Sequence, residues 1–140
     1  MQTSPIRRVD PNEIPSMLAT LCSYECLFGP YHPQTLCLMT EVAVAYCSHG
    51  DFGRARPLLD RLIPVLGQYL GREHQLRLRA LAALAELLCE RGELATAGSV
   101  QKELVECLGL GLGSNHSVTL AARERLAKIL LMEAEPVRVV

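Results

Sequence analysis

The feature that most constrains this chain is a period of 42 residues. Gly29, Gly71 and Gly113 recur at that interval, and so do His32, His74 and His116. Ala43, Ala85 and Ala127 keep the same spacing, as do the pairs Cys47 and Cys89, Gly50 and Gly92, and Ala55 and Ala97. A fixed period of this length marks a chain of repeated supersecondary units, each too small to bury its apolar face without a neighbour.

The residues inside one period specify two helices. Phe28-Gly29-Pro30-Tyr31-His32-Pro33 reads as a turn, with Pro33 suited to a first helical position. Leu36, Met39, Val42, Ala43 and Tyr46 then follow the i, i+3, i+4 rhythm of an amphipathic helix. Gly50 suits a left-handed C-terminal cap, and Asp51 suits the N-cap of the next helix. That second helix carries Phe52, Ala55, Leu58, Leu59, Leu62, Ile63 and Leu66, with Gly67 and Gly71 bracketing the turn that follows. Pro64 is expected to bend or shorten it. Pro57 lies near its first turn, where a proline is tolerated.

The next period repeats the plan. Its first helix holds Leu78, Leu81, Leu84, Ala85 and Leu88, and its second holds Leu94, Ala97, Val100, Leu104, Val105 and Leu108. The second is expected to be the softest, because Gly98, Ser99 and Gln101 interrupt it. Gly109 to Ser114 reads as a turn rather than a dinucleotide loop, since no strand precedes it. A third first-helix runs from Ser117 to about Met132, and residues 13 to 27 read as a second helix that precedes the first full unit. The expectation is six helices in a domain over 13–132, between a flexible segment 1–12 and a tail 133–140. Only 4% of the 140 residues are aromatic and Trp is absent, so the core rests on Leu, Val and Ala, as helices prefer. Ala43 and Ala85 are expected against Ala55 and Ala97, where small side chains let helices approach.

These residues resemble the tetratricopeptide (TPR) family, in the long 42-residue form of kinesin light chains. The pattern is L-G-x-x-H-P, a helix with L-A-x-x-Y, then a glycine followed by A-x-P-L. It stands here as Gly29, His32, Pro33, Val42-Ala43, Tyr46, Gly50, Ala55 and Pro57-Leu58. The second copy is Leu70-Gly71, His74, Leu84-Ala85, Leu88, Gly92, Leu94 and Ala97; the third is Leu112-Gly113, His116, Leu126-Ala127 and Leu130. The resemblance implies an all-α, right-handed solenoid of antiparallel helix pairs, and a non-catalytic adaptor or scaffold. Paired asparagines hold peptide backbone in kinesin light chains. Thr40-Glu41, Ala82-Ala83 and Glu124-Arg125 stand in those places here.

In such stacks the first helices line the inner face. Counting from Ala43, Ala85 and Ala127 puts Cys37, Thr40, Val44 and Cys47 on that face, then Arg79, Ala82, Glu86 and Cys89, then Ala121, Glu124, Lys128 and Leu131. Thr40, Val44, Cys47, Arg79, Glu86, Glu124 and Lys128 are the candidate partner-binding residues. The partner expected is a peptide or helix of another protein. A solvated face with i, i+4 ion pairs such as Glu124 and Lys128 is the competing reading. The alternatives in function are an assembly piece, with self-association through the last helix, or an accessory domain of a larger protein.

Other chemistry has little to stand on. The net charge is −1, without the basic excess that nucleic acid or an anionic membrane requires. No cofactor or metal site is expected. Equivalent histidines one repeat apart (about 20 Å or less) cannot share a metal whose ligands lie at about 2 Å, so each is expected to cap its helix. Without a secretion signal or an apolar run of about 20 residues, an intracellular, cytoplasmic setting is expected. There the six cysteines are thiols, read as small buried hydrophobes. The last helix is expected to use Leu120 and Ala127 toward the preceding repeat. Leu126, Ile129, Leu130 and Met132 then form a wider stripe, covered by Val137, Val139 and Val140 or by a second molecule.

Overall fold

The computed structural model describes residues 13–134. They form six helices: α1 (Glu13–Phe28), α2 (Pro33–Ser48), α3 (Phe52–Leu70), α4 (Gln75–Glu90), α5 (Leu94–Leu112) and α6 (Ser117–Ala134). Segment 1–12 and the valines 137, 139 and 140 lie outside the described residues. The chain divides into two compact units, one ending at Val65 and the other starting at Leu66. In the first unit α1 packs on α2; in the second α5 packs on both α4 and α6.

The repeated residues do repeated work. His32 and His74 are N-caps: each Nδ1 accepts the backbone N–H two residues on, from Gln34 at 3.2 Å and Leu76 at 3.1 Å. His116 does the same for Val118 at 3.2 Å. A ring nitrogen thus replaces the usual Ser or Asp oxygen on an orphan helix donor, which requires Nδ1 to be unprotonated. At the other end of α2, Gly50 turns left-handed (φ 71°). Its N–H donates to Cys47 at 3.1 Å, and the Asp51 N–H donates to Tyr46 at 2.9 Å. Gly92 and Glu93 repeat both bonds on Cys89 and Leu88. Asp51 then caps α3 by accepting the Arg54 N–H at 3.3 Å.

Ala43 and Ala55 in the first unit, and Ala85 and Ala97 in the second, are all fully buried. Leu36, Val42 and Leu59, and Leu84, Leu88 and Leu104, are buried as well, each burial stabilising by about 1.5–3 kcal/mol. Ala127, at the same phase, is exposed, and Leu120 is 46% exposed. The expectation that both serve the preceding repeat is therefore corrected. That work falls to Thr119, Ala122 and Ile129, which are buried.

Three further expectations are corrected. Pro64 does not end α3, which runs as one helix to Leu70 with both prolines inside. The helix also continues through Gly67. A Cβ there would meet Arg77 Nε at 3.1 Å, so the glycine makes room for a buried guanidinium. Arg77 takes the register of Thr35 and Thr119 and bonds to the Arg72 carbonyl at 3.1 Å, to Cys107 Sγ at 3.4 Å and to the Glu103 carboxylate. Likewise α5 extends through Gly109 and Gly111 to Leu112, where a turn was expected. The cysteines are free, but Cys22, Cys26 and Cys37 are exposed rather than buried; Cys107 alone of the six is fully enclosed. Among the described residues no helix is long and apolar enough to cross a membrane.

Candidate partner-binding groove

The second unit contains a cavity of about 850 Å³. The first helices α4 and α6 form its walls, through Leu78, Arg79 and Ala82 on one side and Val118, Ala121 and Arg125 on the other. Gln101, Leu104 and Leu108 of α5 form its floor, and all three are buried. Leu112 and Val118 stand half-exposed at its mouth. An apolar floor with a few polar groups on the walls is the usual composition of a binding cleft.

Two polar links hold the walls. Gln101 occupies a core position on α5, and its Nε2 donates to the Ala122 carbonyl of α6 at 3.0 Å. The polar side chain that interrupts α5 in sequence thereby ties it to the next helix, since a buried amide left unbonded would cost about 1–3 kcal/mol. Across the cleft, Arg125 Nη2 donates to Glu86 Oε1 at 3.0 Å, joining α6 to α4. Both of those side chains are about half exposed, so this pair contributes orientation more than stability.

The residues singled out by spacing fare unequally. Arg79 lines the cavity and, among the described residues, has no ion-pair partner. Ala82 and Ala121 line it too. Glu86 is exposed and engaged by Arg125. Glu124 and Lys128 lie 3.9 Å apart as an exposed i, i+4 pair and are not part of the cavity. In the first unit, Val44 and Cys47 are partly exposed. Thr40 is corrected: it is fully buried, and its hydroxyl donates to the Leu36 carbonyl at 2.8 Å, satisfying the group within its own helix.

Spacing missed Arg125, Gln101 and the two mouth residues. The signal for Arg125 was available, because Glu86 and Arg125 are 39 residues apart, one period less a helical step of three. Cys89, on the same inner register, has its thiol pKa raised, first by burial, while Arg125 lowers it and Glu86 raises it. Among the described residues no group of three or more His, Cys, Asp or Glu is arranged to hold a metal ion.

Helices repeated every 42 residues, with fully buried alanines at the repeated positions and histidines as caps, define an all-α helical-repeat protein. The fold is that of TPR-like repeats. It matches the crystal structure of nearly identical TPR-like repeats of a kinesin light chain from Podosopora anserina with a TM-score of 0.76. The two are 23% identical over 87% of this chain, which spans 57% of the length of that structure. No protein-family model and no curated protein matches the chain.

Proposed function

We propose that this chain is a non-catalytic interaction module whose second unit takes a peptide or short helix of another protein into the groove between α4 and α6. The observation that carries the reading is the cleft itself. It has a floor of Leu104 and Leu108 with Gln101, an arginine on each wall, Glu73 in its lining, and Arg79 without an ion-pair partner among the described residues. A segment with alternating apolar side chains fills such a floor, and its backbone or acidic groups meet the walls. Adaptor or scaffold work in the cytoplasm is part of this proposal, and the likeness in fold to kinesin light chain repeats is consistent with it.

Selection of peptides on the full chain from a displayed random library tests it. Binders are expected to lose affinity about tenfold or more on Arg79→Glu, with a loss that shrinks at high salt, since the charge lies at a solvent-exposed wall. Lys128→Glu, outside the cleft, is expected to matter less. Peptides that bind wild type and Arg79→Glu equally would move the site away from this groove.

A further inference from the structure

Two opposite charges in the groove are left without a partner from the chain itself. Glu73 and Arg79 both line the cavity. Both are exposed, and neither makes a side-chain hydrogen bond or ion pair among the described residues. Arg125, on the facing wall, is already held by Glu86. The Glu73 carboxylate lies over the last turn of α5, where a Cβ built on Gly111 would meet Glu73 Cβ and Oε1 at 3.8 Å each. Glycine leaves that side of the carboxylate uncovered. Arg79 follows Glu73 by six residues, about 9 Å at helical rise.

We infer that the groove selects an extended peptide of another protein that carries both signs of charge, a basic group at Glu73 and an acidic group at Arg79. The inference rests on the groove reading above and goes beyond it by naming the charge pattern of the ligand. Charge complementarity carries it. Each free charge of the cleft gains from an opposite group on the ligand and is opposed by a like one. A uniformly acidic segment therefore satisfies Arg79 only against repulsion from Glu73, and a uniformly basic one meets the reverse. At about 3.3 Å per residue, an extended chain covers the 9 Å in about three residues, so its two charges stand two to four positions apart. Apolar side chains beside them reach the floor of Leu104 and Leu108. Glu73 is thus a specificity-determining residue of the groove.

Peptides selected on the full wild-type chain from a displayed random library test the pattern, with affinities read by fluorescence anisotropy. Binders that weaken on Arg79→Glu define the groove set. Within that set a basic residue is expected two to four positions from an acidic one. Changing the basic residue to glutamate should cost about tenfold on wild type and much less on Glu73→Gln, and Glu73→Lys should restore binding of the changed peptide. Glu73 lies in the turn before α4, so helix content by circular dichroism is expected to be unchanged in both variants. A groove set that is uniformly acidic overturns the inference and leaves the groove reading standing. So does a basic residue that becomes glutamate without loss, or a loss that is equal on wild type and Glu73→Gln. Peptides indifferent to Arg79→Glu overturn both.

Discussion

Gly98 lies inside α5, where glycine costs about 0.8–1 kcal/mol relative to alanine. It is buried against α6, and a Cβ built on it would sit 3.7 Å from both Ile129 Cγ2 and Leu130 Cδ2. Those are ordinary van der Waals distances, so the added methyl fits without moving a neighbour. Gly98→Ala should therefore recover the backbone term and add part of a methyl burial, about 0.8 kcal/mol at most. The sum is a stabilisation of about 1–1.5 kcal/mol, or a melting increase of roughly 3–6 °C for a chain of this size. Gly98→Leu should reverse the sign, because three more carbons have no space and overpacking costs about 1–3 kcal/mol. Two further glycines, one within α5 and one at its C-cap, separate the contributions. Gly109 has open space around it, so Gly109→Ala should give the backbone term alone, about 0.5–1 kcal/mol. Gly113, at φ +97°, should lose about 1–2 kcal/mol on conversion to alanine. Thermal and urea unfolding followed by circular dichroism measure all four. Destabilisation by Gly98→Ala would refute the packing argument, since it would mean that α5 and α6 approach more closely than described.

Ala55→Leu and Ala97→Leu should each destabilise by about 1–3 kcal/mol, because both sites are fully buried at the same phase of the period; unchanged melting in both would remove their packing role. His74→Ala should cost about 0.5–2 kcal/mol by freeing the Leu76 N–H, and His74→Asn should restore most of it; equal melting of the two variants would dismiss the cap. Cys89 holds its proton to higher pH than an ordinary thiol because it is partly buried. Alkylation at pH 8 should therefore label the exposed Cys22, Cys26 and Cys37 before it. The unfolded thiol ionises first as pH rises, so stability should fall above the ordinary thiol pKa, by a component that Cys89→Ala removes. A slope that persists in that variant would assign it to other groups.

Much of the architecture is written into single residues. Glycine at the end of α2 and α4 fixes a left-handed cap that a side chain would strain, and histidine and aspartate fix where helices begin, so those boundaries were readable. The second helices were misjudged because Gly67, Gly109 and Gly111 look like turns. In α3 the glycine is there for the Arg77 guanidinium, a contact made at a distance in sequence. Pro64 was expected to bend or shorten α3, and it does not shorten it: the helix runs on to Leu70. In the groove, Arg79 and Ala82 followed from phase alone. Thr40 shares that phase but turns its hydroxyl onto its own helix. Ala127 carries the repeat's residue but is exposed, where Ala43 and Ala85 are fully buried, a difference that phase alone does not state.

The most direct measurement is backbone amide chemical-shift mapping of the full chain titrated with a library-selected peptide. The account predicts that the largest shifts fall on Leu78, Arg79 and Ala82 of α4 and on Val118, Ala121 and Arg125 of α6, with Arg79→Glu abolishing them. Shifts confined to α1, or to the outer surface of α5, with the groove unperturbed, would contradict it.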